Sequence, residues 1–134
     1  MANRRTFLKS IATQVAAAAG ASAQGTSGTT AKVVGKQALP APFDGMVASF
    51  IEVTTSGKGS PPHQHAGFVL GYVIEGEFRF QIAGGQEQVL RPGQTFYEPP
   101  GAKHVVSGST HPDKPAKILA VIIAKKDETL TKPL

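Results

Sequence analysis

The chain contains no cysteine and no tryptophan. Without a thiol there can be no disulfide, no thiolate nucleophile and no cysteine-ligated metal. Aromatics are sparse, two tyrosines and seven phenylalanines in 134 residues, so any core must rest on aliphatic side chains. Long apolar runs are missing too, and nothing approaches the ~20 residues that a bilayer-spanning helix requires. Acidic residues are few, nine against fourteen Lys and Arg, for a formal charge of +5. Three of those cations, Arg4, Arg5 and Lys9, lie within the first 23 residues, and without them the charge falls to +2. No basic stripe interleaved with aromatics remains, which removes the case for a nucleic-acid partner. Residues 24–134 also lack helical periodicity and any internal repeat.

The N-terminal segment has its own order. Asn3-Arg4-Arg5-Thr6-Phe7-Leu8-Lys9 resembles the twin-arginine export consensus, and an alanine-rich apolar run over 11–19 follows it. Ala21-Ser22-Ala23 then supplies a small-residue cleavage site. Residues 1–23 therefore read as a removable signal, 24–31 as a Gly/Ser/Thr-rich flexible linker, and 32–134 as one folded domain. The expected product is periplasmic, is not held in a membrane after cleavage, and is long enough for one small core. Export in the folded state would let an ion be acquired before the chain meets periplasmic zinc or copper, whose affinities usually exceed those of iron and manganese.

Fourteen glycines and ten prolines punctuate residues 24–134 into short apolar segments. Residues 32–39 read as a short edge strand and 46–55 as the first long strand, whose apolar part, 46–53, is a candidate edge for pairing in a homodimer. Residues 68–74 and 78–82 read as strands joined by a tight hairpin at Glu75-Gly76-Glu77, with a second hairpin at Ala83-Gly84-Gly85-Gln86. Further strands are expected over 88–90, 95–97, 103–107 and 118–124. The pattern is all-β, a sandwich or barrel.

Chemistry concentrates in three histidines. His63 and His65 are two apart, so on an extended segment both imidazoles project to one face while Gln64 points away. His104 follows the turn Pro99-Pro100-Gly101. Neutral imidazole suits borderline divalent metals.

These segments resemble the two motifs of the cupin superfamily, in particular its small single-domain conserved-barrel members. Gly57, His63, His65 and Gly76 match the first motif, and Gly93, Pro99, Gly101 and His104 the second. Two positions depart: the usual glutamate ligand falls on Val69 and the usual closing asparagine on Gly108. The resemblance implies a double-stranded β-helix, or jelly-roll, barrel. It also implies a divalent ion held by His63, His65 and His104, iron first, with manganese, zinc or nickel as alternatives.

With valine at the glutamate position a divalent ion would keep its full formal charge, which favours an anionic, chelating small-molecule substrate. Tyr72, Tyr97 and Glu98 are the candidate proton-moving residues: a buried phenol needs a polar partner, and Glu98 adjoins the Pro-Pro-Gly turn. Glu98 is otherwise expected to face solvent, as are Arg79, Arg91 and His111. Phe78, Phe80 and Phe96 are expected in the core. Three functions follow. One is a dioxygenase-like metalloenzyme, which the resemblance implies; another is a redox-neutral metal-dependent isomerase or lyase; the last is a non-catalytic small-molecule-binding cupin.

Overall fold

The computed structural model describes residues 28–134. The twin-arginine segment and most of the expected linker lie outside the described residues. Ten strands follow in order: β1 (Thr29–Ala38), β2 (Met46–Thr55), β3 (His63–His65), β4 (Phe68–Glu75), β5 (Phe78–Ile82), β6 (Gln88–Leu90), β7 (Thr95–Glu98), β8 (Lys103–Ser109), β9 (Ala116–Lys125) and β10 (Thr131–Pro133). No helix occurs among the described residues.

The strands form two five-stranded antiparallel sheets, β1-β2-β9-β4-β7 and β10-β3-β8-β5-β6. Packed face to face, they make the expected jelly roll. Alternation decides what lies between the sheets. Along β9 every second residue, Ala116, Ile118, Ala120, Ile122 and Ala124, is buried. Along β5 it is Phe78 and Phe80, between the half-buried Arg79 and Gln81. Phe78, Phe80 and Phe96 form the aromatic centre, with Phe80 and Phe96 ring centroids 4.8 Å apart. Phe96 lies flat over Gly71, where any Cβ would overlap its ring. That close approach explains a glycine in the middle of a buried strand.

Three sequence expectations need correction. β1 begins at Thr29, inside the segment read as linker, because its hydrogen-bonded register with β2 runs back to Thr29 opposite Thr55. β2 is not an edge: it lies between β1 and β9, so copies of the chain cannot pair through residues 46–53. The turn at Gly76 (φ +71°) is no hairpin, since β4 pairs with β7 and β9 whereas β5 pairs with β6 and β8. Gly76 instead turns the chain from one sheet to the other. The second expected hairpin is present, joining β5 to β6.

β10 has no counterpart in the sequence reading. Thr-Lys-Pro is exposed, short and without alternation. It becomes a strand only by pairing with β3, Thr131 opposite His65 and Pro133 opposite His63.

Candidate metal centre

β3 and β8 are adjacent antiparallel strands with His63 directly opposite His104. His65 lies two residues on from His63, and its ring stands edge-on to that of His63 at 4.8 Å. His63 and His104 are also 4.8 Å apart, centroid to centroid. One nitrogen from each of the three lies within 4.8 Å of the others. The i, i+2 spacing and the Pro-Pro-Gly turn thus bring together the three residues expected to meet.

Hydrogen bonds fix which nitrogen of two rings is available. His63 Nδ1–H donates to the Pro61 carbonyl at 2.8 Å. His65 Nδ1 is 2.9 Å from Thr131 Oγ1 and 3.3 Å from the Leu130 carbonyl. A carbonyl only accepts, so both Nδ1 atoms carry the proton and both Nε2 atoms keep a lone pair. An outer partner of this kind holds ring orientation and makes the other nitrogen a better ligand. Both partners of His65 come from residues 130–131. Replacing Thr131 with valine is expected to weaken metal binding about 10-fold or more while leaving the denaturation midpoint near that of the parent, and metal titration of the two proteins reads this directly.

His104 is deeper, 3% exposed, and its ring packs 4.9 Å from Phe80. Its Nδ1 faces Glu98 Oε1 at 3.3 Å, and neither of these atoms nor His104 Nε2 makes a well-formed hydrogen bond among the described residues. Buried polar atoms left unpaired cost about 1–3 kcal/mol each, so their gathering at one point calls for a partner. A divalent ion among three imidazoles and a carboxylate fits that need and that donor set.

Glu98 is 3% exposed, not solvent-facing. Strand alternation continues to the end of β7, turning Phe96 and Glu98 inward and Thr95 and Tyr97 outward, and the prolines begin only after it. Its carboxylate lies 3.3 Å from His104 Nδ1 and 3.9 Å from His65 Nε2. Glu98 also pairs directly with Val69 on β4, which is fully buried. The position where a cupin glutamate would stand is therefore apolar, and a carboxylate lies beside it on the next strand.

The same alternation removes both tyrosines from the site. Val69, Gly71 and Val73 face inward on β4, which turns Tyr72 outward; Tyr72 is 47% and Tyr97 51% exposed. Arg79 pairs with Glu87 and Arg91 with Glu77 on the outside, and His111 is exposed, as expected. Gly108, at the asparagine position, packs against Gly59: a Cβ there would come within 3.1 Å of the Gly59 Cα, so the close contact leaves little room for a side chain.

Electrostatics prepare the imidazoles as ligands. Burial lowers the pKa of His63, takes that of His65 to about 4 and that of His104 to about 3, with the neighbouring histidines adding to the effect on the latter two. All three are neutral at pH 7, so the Glu98 contacts are not ion pairs. Burial pushes Glu98 the other way, up to about 7.

The histidines open on a cavity of about 300 Å³. The rest of its wall comes mainly from inward side chains of β1, β2 and β9, with Glu98, Ser60 and Ser107 as further polar residues. The sequence marks 118–124 as a strand but gives no sign that one of its faces borders a site.

The cupin-domain family model matches residues 49–122, more than half the chain. The chain belongs to the cupin family. Among curated proteins this cupin is 30% identical over 84 residues to the cupin-domain-containing oxidoreductase fogC of Aspergillus ruber. That match covers 63% of the chain and 41% of the fungal protein, so the cupin spans about two fifths of its relative's length. Among solved structures it resembles a recombinant oxalate oxidase in complex with glycolate (TM-score 0.62, 20% identity, 82% of this chain and 57% of that one). It also resembles the DMSP lyase DddQ of Ruegeria pomeroyi (TM-score 0.56, 23% identity, 64% and 42%). At these identities the structural likeness speaks for the fold.

Proposed function

We propose that this cupin is a small-molecule metalloenzyme that holds one divalent ion through His63, His65 and His104 and carries out dioxygenase-type chemistry. The convergence of three neutral imidazoles, two with Nδ1 locked by hydrogen bonds, at the end of a small apolar-walled cavity carries this reading. Its curated relative's description as an oxidoreductase supports it. Iron is the first candidate ion, with manganese, zinc or nickel as alternatives.

A bound ion would supply Lewis acidity and, if redox-active, electron transfer. The chain supplies the rest. Pro61, Leu130 and Thr131 orient the ligands. Ile51, Val53, Ile118 and Ile122 exclude water from the substrate's body. Of the three residues expected to move protons, Glu98 alone faces the cavity, and its carboxylate can hold a proton near neutral pH. Substrate-dependent oxygen uptake by the iron-loaded protein, lost on exchange with zinc, tests the dioxygenase reading.

Glu98 also favours a second reading, a redox-neutral lyase or isomerase, because a buried carboxyl with a pKa near 7 suits general acid–base work. Turnover with zinc and no oxygen uptake would select it. Saturable binding with no turnover under any metal would leave a binding cupin.

We also place the protein in the periplasm, on the paired Arg4-Arg5 and the Ala21-Ser22-Ala23 site. Changing both arginines to lysine is expected to retain the full-length chain in the cytoplasm, as cell fractionation and the apparent mass on a gel would show.

A further inference from the structure

The shape and charge of the cavity say more about the substrate than the ligands do. At about 300 Å³ it lies at the small end of ligand-binding clefts, which suits a small molecule. Length is set by β8. A bulge in β8 absorbs one residue, so Ser107 and His104, opposite Phe80 and Ile82, lie two ladder positions apart on the same face, ~7 Å of strand. Ser60 is level with Ser107, whose carbonyl accepts from the Ser60 amide at 2.8 Å. Ser60 Oγ in turn donates to Thr29 Oγ1 at 2.8 Å. Ser60, Ser107 and Thr29 all line the cavity, so it ends in hydroxyls. Between the two ends, β2 contributes Ile51 and Val53 and β9 contributes Ile118, Ala120 and Ile122.

Charge is the deciding feature. Among the described residues no lysine or arginine lines the cavity, and apart from the histidines Glu98 is its one ionisable residue. Arg79 and Arg91 are engaged with Glu87 and Glu77 on the outside of the barrel. An anion at the hydroxyl end would be desolvated with no cation to meet it.

Resting on the three-histidine metal reading, we infer that the substrate has one chelating, singly anionic head at the histidines and a short uncharged body that ends on the hydroxyls. Dianions with a charge at each end, such as dicarboxylates and sugar acid phosphates, are rejected.

The test uses the full-length domain loaded with Co²⁺, whose visible spectrum reports a head group entering the coordination sphere. Four acids are titrated: glycolate, α-hydroxycaproate, α-hydroxyadipate, and the branched monoacid in which an isopropyl group replaces the second carboxylate of α-hydroxyadipate. Affinity is expected to rise from glycolate to α-hydroxycaproate by about fourfold for each methylene buried. It should fall by about 100-fold or more for the diacid and stay high for its branched isostere, which separates charge from size. Ser60→Lys should recover diacid binding at the expense of the caproate. Equal affinity for all four acids, a diacid that binds as well as its isostere, or a cobalt spectrum that no acid perturbs would overturn the assignment. Failure to take up cobalt would sink the metal reading and this inference with it, and it shows before any acid is added.

Discussion

Metal uptake is expected to be abolished when His63 and His104 are both replaced by alanine. The reason is geometric as well as numerical. His63 and His104 face each other across the β3–β8 ladder, so their loss removes the two ligands that bracket the site and leaves His65 as the only imidazole. The effect should far exceed the roughly 10–100-fold that an outer hydrogen-bond partner carries. Elemental analysis of protein purified after expression with the complete N-terminal segment reads it as a fall from near one ion per chain to background. His104 is buried against Phe80, so its truncation also opens a void and costs some stability. A single His63→Ala variant controls for that, since His63 is only half buried. It should lose most of its metal with little change in the denaturation midpoint. Retention of metal by the folded double variant would place the ion elsewhere.

Much of this architecture is legible in the chain because the signals are local. Period-two alternation locates β5, a continuous apolar run marks β9, glycine and proline mark the turns, and the His63/His65 spacing needs only an extended backbone to aim two imidazoles together. What fails is what depends on partners far away in sequence. The turn at Gly76 reads as a hairpin because two apolar strands flank it, but which sheet each strand joins is set by β7, β8 and β9. Residues 131–133 carry no strand signal of their own; β3 confers it.

The errors at the site share one origin. Tyr72, Tyr97 and Glu98 were candidates by residue type, and strand parity decides among them. Carrying parity back from His104 through Pro99, Pro100 and Gly101 is unsafe. Carrying it forward from Phe96 is sound, since a phenylalanine flanked by threonine and tyrosine marks the inner face of β7 and puts Glu98 on that face.

Glu98 carries the other large effect, and its sign reverses with the ion. In the metal-free protein burial raises the carboxyl from its ordinary 4.5 to about 7. The protonated form is the one the fold favours. Glu98 therefore contributes stability that is complete below pH 4.5 and lost as pH rises towards about 7, above which the fold must hold a carboxylate among neutral groups. Over that interval the linkage amounts to about 3 kcal/mol. The histidines run the opposite way. With pKa values of about 4 and 3 against an ordinary 6.5, His65 and His104 contribute stability above pH 6.5 that is lost as pH falls through those lower values. Metal-free protein is thus expected to be most stable at about pH 6.5 and to weaken on either side. Glutamine at position 98 keeps the shape and removes the charge. Metal-free Glu98→Gln should match the parent at pH 4 and exceed it by a few kcal/mol at pH 8, on denaturant titration across that range. Loading with Co²⁺ should invert the order at pH 8, because a cation among the histidines turns the buried carboxylate from a cost into an attraction that glutamine cannot supply. Parent and variant of equal stability at pH 8 without metal would show that Glu98 is not burdened by its burial. A variant that stays ahead after loading would show that its carboxylate does not act on the ion.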